Sequence, residues 1–207
     1  MKKFKILLSA LALLLCFASC SSCNSDKQEE EEVTSLEFNA LIQEDVNYAI
    51  DNFNEPVFYE AQIKFDKPIT SEEYPNVIEV LTVIQDVDTT GQYWCYLFQH
   101  TLEGCVIDSV NSPWLEDCVI DLESVKLTLE EALDRLYSTD IVLPESSVAV
   151  LRRPLGPQIF VYPFYIFGQM NTGFVEVNAG TGEVNLLEYT EIEKCDEDDL
   201  DDTLDIE

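Results

Sequence analysis

One histidine, seven cysteines and 41 acidic residues carry most of the chemistry available to this 207-residue chain. The histidine, His100, lies in His100-Thr101-Leu102-Glu103-Gly104, which reads as a turn, so an exposed polar role is expected. A lone histidine cannot build a histidine-based metal cluster, and no motif supplies the partners of a Ser-His-Asp site. Asp86-Val87-Asp88-Thr89-Thr90-Gly91 opens like a calcium loop, but its twelfth position is Leu97 rather than a carboxylate. Its flanks read as strands, so a hairpin turn is expected there and no metal ligand is assigned. Carboxylate pairs are so abundant that no single pair is informative. Asn178 to Gly182 holds Asn and two glycines, which suit the positive φ angles of a tight turn rather than a phosphate cradle. No nucleophile, acid–base pair or cofactor loop stands out, so the expectation is no enzyme, no catalytic residue and no cofactor.

The cysteines leave more open. Cys95 and Cys105 flank the segment around His100 at nearly equal distances, so they are a candidate disulfide across two strands. Cys118 and Cys195 would remain as a second pair, and free thiols are the alternative; Cα separation decides between them. None of the spacings resembles a zinc site.

At the N-terminus, Lys2, Lys3 and Lys5 precede a short apolar run from Ile6 to Phe17, too short for a permanent membrane span. Residues 1–19 read as a signal peptide. The run ends in Phe17-Ala18-Ser19-Cys20, which resembles the bacterial lipobox, with Phe where Leu is usual. Cys20 is the expected lipidation site, carrying palmitate-type acyl chains; Cys23, preceded by Cys20-Ser21-Ser22, is the poorer candidate. Residues 20–34 are polar and acidic and read as a flexible tether. Their Ser-Asp and acidic run resembles the surface-export signals of Bacteroides-type lipoproteins, which implies a lipid-anchored outer-membrane protein, periplasmic or cell-surface exposed.

The elements that would position any site follow from periodicity. Thr34 or Ser35 is expected to cap a helix running to about Phe53, with Phe38, Leu41, Ile42, Val46, Ala49, Ile50 and Phe53 as its buried stripe. Strand-like runs follow over 57–65, 77–87, 93–99 and 105–110. Residues 111–121 read as a connector. Thr128-Leu129-Glu130-Glu131 is a capping box opening a second helix. Strands are expected over 147–152 and 158–167, with Pro163 at an edge or bulge, then a hairpin over 173–187. Residues 188–207 hold eleven acidic residues and one lysine, and read as a solvated, repulsive tail.

Residues 126–187 resemble a PepSY domain. LTLEEALDRL matches its helix start and GFVEVNAGTGEVNLL its closing hairpin, with Asn178 for the common Asp and Gly180 for Lys or Asp. QIFVYPFYIF stands where the family has its apolar strands. Residues 35–121 repeat the order helix, strand, strand, hairpin and read as a degenerate second copy. The expected fold class is α+β, helices packed on an antiparallel sheet as two tandem PepSY-like units. The same layout occurs in PepSY-like secreted inhibitors, whose open sheet face binds a partner.

With 41 acidic against 11 basic residues, nucleic acid is a poor partner and none is expected, and membrane contact is expected through the N-terminal lipid only. The resemblance implies a non-enzymatic binding or inhibitory module for an unidentified envelope protein or peptide. The alternative is a surface accessory lipoprotein binding glycan through Trp94, Tyr96, Trp114 or Tyr162. An apolar open sheet face would favour the first, and a contiguous aromatic platform the second.

Overall fold

Long β-branched runs set the architecture. The computed structural model describes residues 35–70, 73–114, 118–153, 162–169 and 173–187. The signal peptide, Cys20, Cys23, the tether, Cys195 and the acidic tail lie outside the described residues. Helix α1 (Phe38–Asn52) leads into four strands, β1 (Val57–Phe65), β2 (Val77–Val87), β3 (Tyr93–Thr101) and β4 (Gly104–Val110). After a 3-10 turn (Leu122–Ser124), helix α2 (Leu129–Tyr137) leads into β5 (Val148–Arg152), β6 (Phe164–Gln169), β7 (Gly173–Asn178) and β8 (Val184–Leu187). All eight strands join one sheet in the order β4-β3-β2-β1-β5-β6-β7-β8, every pairing antiparallel. Each half is therefore a helix followed by a four-strand meander. The halves meet where β1 pairs with β5, Ala61 opposite Leu151 and Ile63 opposite Ala149.

Both helices lie on one face, as side-chain parity shows. Residues directly opposite in an antiparallel pair share a face, and neighbours along a strand alternate. Ala61, Ile63, Val80, Ile84, Phe98, Leu151, Tyr165, Phe167, Val175 and Val177 all point to the helix side and are buried in one continuous core. That core runs across both halves without a break. Phe38 of α1 packs edge-on against Tyr165 of β6, ring centroids 6.2 Å apart. Asn39 Oδ1 accepts the Leu129 N–H at 2.9 Å, so a side chain of α1 satisfies a free donor at the start of α2. The Tyr165 hydroxyl donates to Leu127 O at 2.9 Å, and burial pushes its pKa up to about 12.

Local chemistry explains the helix boundaries. The capping box of α2 is formed: Thr128 Oγ1 accepts from Glu131 N, and Glu131 Oε2 accepts from Thr128 N. Leu129, Ala132, Leu133 and Leu136 are its buried stripe, each larger side chain contributing roughly 1.5–3 kcal/mol. In α1 the expected cap is absent. Glu37 is the N-cap without a side-chain bond, and Ser35 Oγ instead accepts Val77 N–H. Ile50, expected in the stripe, is 62% exposed, whereas Asp45 is buried. The C-terminal end of α1 is pinned by Asp86 of β2, whose Oδ1 accepts from Asn54 N and Glu55 N.

Two expectations in the second half are corrected. Pro163 precedes β6, which is an interior strand, so proline sits at neither an edge nor a bulge; it costs no ladder donor because pairing starts at Phe164. Gly180 has no positive φ; a Cβ there would stand 2.1 Å from the Tyr162 ring, so the glycine makes room for an aromatic. Gly182, at φ +77°, is the turn residue proper.

Candidate functional site

The face opposite the helices is one on which no further helix or strand among the described residues packs. Its residues are the other parity set, including Leu81, Leu97, Val106, Val148, Val150, Ile166 and Phe174 among apolar positions. Only one end is crossed by the connector between halves. There Trp114 N donates to Gln85 Oε1 at 2.6 Å and Cys95 Sγ to Ser112 O at 3.2 Å. The connector then reaches β1, where Ile120 N donates to Phe58 O.

Away from that strap, β1, β2, β5, β6 and β7 line a shallow depression of about 460 Å³. Its floor is Leu81, Val148, Val150, Ile166 and Phe174, and none of these is fully buried. Charged groups stand among them. Lys64 lies 3.6 Å from Glu79, and Gln99 donates to the same carboxylate at 2.8 Å. Gln62 donates to Glu60 at 2.9 Å. Glu176 sits beside Ile166, where burial pushes its carboxyl above the ordinary value and a bond from Asn185 pulls it back in part. An apolar floor with mixed charges around it is the make-up of a protein-contact surface.

A larger groove, about 580 Å³, opens on the helix side between α1, the start of β1 and the connector. Its polar groups are locally engaged: Gln43 donates to Asn47, and Asp121 caps the 3-10 turn through Glu123 N.

The lone histidine is not a turn residue. The hairpin turns at Leu102-Glu103, which leaves His100 inside β3, 8% exposed and pointing at α1. His100 Nε2 lies 2.8 and 3.0 Å from the two carboxylate oxygens of Asp45. Cys105 Sγ, from the opposed position on β4, lies 3.8 Å from the same nitrogen. In a nucleophilic relay the carboxylate and the thiol engage different ring nitrogens, and here they share one. Burial, then the charges of Asp45 and Glu44, push the Cys105 thiol up, away from the thiolate an attacking group needs. Burial also raises the Asp45 carboxyl, opposed by the neighbouring Thr82 hydroxyl and by the bonds to His100. What this trio does physically is clamp the buried face of α1 to β3.

The Cys95–Cys105 disulfide is overturned by register. Cys95 lies opposite Val110 and Cys105 opposite His100, so alternation sends their side chains to opposite faces of the sheet. Among the described residues both are free thiols, as is Cys118, whose expected partner Cys195 lies outside them; Cys95 and Cys118 are buried and Cys105 exposed. The four aromatics considered for glycan do not gather. Trp94 Nε1 donates to Asp88 Oδ2, Tyr96 stacks on Phe53 at 3.9 Å, Trp114 is fixed at the connector, and Tyr162 covers Gly180. The Asp86 to Gly91 segment is the β2–β3 hairpin turn, held by Asp88, which accepts from Thr90 N, Thr90 Oγ1 and Gln92 N.

Composition held a signal for the open face. The run 164–167 is continuously apolar, and 77–87 breaks its apolar residues at Glu79, Thr82, Gln85 and Asp86 without a strict alternation, which marks strands with apolar side chains on both faces. Among the described residues, no helix is long and apolar enough to cross a membrane. No known protein family, curated protein or solved structure matches the chain.

Proposed function

We propose that this chain is a non-enzymatic, lipid-anchored cell-envelope protein whose two tandem PepSY-like units form a single binding sheet for a protein or peptide partner. The observation that carries the reading is the open depression on that face: Leu81, Val148, Val150, Ile166 and Phe174 line it, flanked by Lys64, Glu79 and Arg152, and no helix or strand among the described residues lies over it. The repeated helix-plus-meander order supports the tandem reading. The dispersal of Trp94, Tyr96, Trp114 and Tyr162 favours a protein over a glycan. An inhibitory role follows from the resemblance, in which a partner is held against the open sheet.

The test is recovery of the affinity-tagged full chain from its host envelope beside a Leu81→Asp/Val150→Asp variant. Both positions are half-buried on the open face, so the new carboxylates stand in the contact region. The reading expects envelope proteins that co-purify with the wild type and are lost from the variant, with thermal unfolding showing that the variant still folds. Equal recovery with both would sink it. The anchor is tested separately by radiolabelled palmitate, which should enter the wild type and fail to enter Cys20→Ala; undiminished labelling would remove Cys20 from the account.

A further inference from the structure

A second surface lies at the β4 edge of the sheet. Strand β4, GCVIDSV, pairs with β3 in unbroken register from Gly104 to Val110, without a bulge. Among the described residues no strand lies on its other side, so alternate residues turn their N–H and C=O groups outward, the Ser109 N–H being taken by Asp108 Oδ1 at 2.7 Å. Every residue of the strand is exposed. Val106 is 65% and Val110 48% exposed on the open face, and Ile107 is 45% exposed on the helix side. Proteins ordinarily blunt such edges with lysine, proline, a bulge or a very short strand. Here the strand has seven residues with no lysine, proline or bulge and a single charged side chain, Asp108, whereas the opposite edge, β8, has four residues.

Charge selects the occupant. The only charged residue in β4 is Asp108, and Glu103 sits in the adjoining turn. Behind the strand, Asp45 and the neighbouring Glu44 add to burial in raising the Cys105 thiol, so the carboxylates near this edge are all of one sign. A second copy would bring the same acidic edge and a net charge of −30 against its own image. We infer that the β4 edge receives an extended peptide strand carrying basic side chains, added antiparallel or parallel to the sheet. The inference concerns a surface distinct from the open-face depression and stands whether or not that depression binds.

The test uses the full chain and three capped seven-residue peptides: alternating Val and Lys, alternating Val and Glu, and the Val/Lys peptide with N-methylated backbone amides. Hydrogen exchange is followed over residues 104–110. The Val/Lys peptide should slow exchange there by about tenfold, an effect that weakens with added salt. The Val/Glu and N-methylated peptides should not. A Val106→Lys/Ile107→Lys variant changes two exposed side chains, should keep the wild-type melting temperature, and should lose the protection. No protection by the Val/Lys peptide overturns the inference. Equal protection by the N-methylated peptide would mean charge attraction without strand pairing, and also overturns it. A dimer in sedimentation with β4 already protected would assign the edge to a second copy instead.

Discussion

Replacing His100 by leucine should cost this protein far more than a surface substitution. Asp45 is 3% exposed, and His100 supplies both short contacts to its carboxylate. Leucine fills much of the imidazole volume but removes both short contacts to a buried carboxylate. Breaking a buried pair from one side costs roughly 3–5 kcal/mol, because the remaining charge is stranded. Asp45 has one escape, which is to bind a proton. Its carboxyl already lies above the ordinary 3.8 through burial, and losing His100 removes a group that lowers it. The folded variant therefore holds that proton to higher pH than the unfolded chain does. Its stability relative to wild type should be greatest in acid and fall as pH rises from about 4 through the raised value. Urea unfolding followed by tryptophan fluorescence at about pH 4.5 and pH 7 reads both quantities. Adding Asp45→Asn to His100→Leu removes the stranded charge and should restore much of the loss at neutral pH. A His100→Leu deficit below about 1 kcal/mol at pH 7, or one that Asp45→Asn leaves untouched, would refute the clamp.

Gly182→Val should lower stability by roughly 1–3 kcal/mol, since φ is +77° and the new Cβ would lie 3.2 Å from Arg135 Nε; chemical unfolding measures it, and a wild-type value with lost partner binding would make the turn functional rather than structural. Gly180→Ala should displace the Tyr162 ring, seen as a changed tyrosine environment in NMR, while unchanged ring signals would contradict the close approach. Native alkylation should modify Cys105 and spare Cys95 and Cys118 until the chain unfolds, the reaction being slow at neutral pH because the Cys105 thiol is raised; a disulfide between Cys95 and Cys105 in the mass spectrum would contradict the register. Bonds from Thr90 and Gln92 hold the Asp88 carboxyl down at about 2, so its stabilising effect is full above the ordinary 3.8 and disappears as pH falls through about 2; Asp88→Asn should flatten that part of the acid unfolding curve, and an unchanged curve would remove Asp88 from the account.

Local pattern and long-range contact were not equally legible. Strands 57–65 and 77–87 are bounded as their β-branched and aromatic runs predict, because Pro56, Pro68 and the Asp88–Gly91 turn interrupt pairing locally. The α2 capping box was readable for the same reason: its partners are three residues apart. His100 was not, because its partner is 55 residues away on α1. The clue lay in the helix, where Asp45 falls between Ile42 and Ala49 on the buried face and a carboxylate there requires a partner. The disulfide expectation failed on the same hairpin. A turn centred near His100 would set Cys95 against Cys105, but the chain turns at Leu102-Glu103 and the register moves with it. The glycines of the last hairpin divide by cause: Gly182 by backbone angle, Gly180 by a ring whose approach no local pattern announces.

The open face bears the central claim, and contact mapping in the native envelope tests it most directly. A photoreactive amino acid placed at Val150, on the floor of the depression, is compared with one at Ile50, exposed on the helix side. The account predicts a discrete cross-linked protein or peptide from Val150 and none from Ile50. Adducts from Ile50 with none from Val150 would move the contact surface to the helices and contradict it.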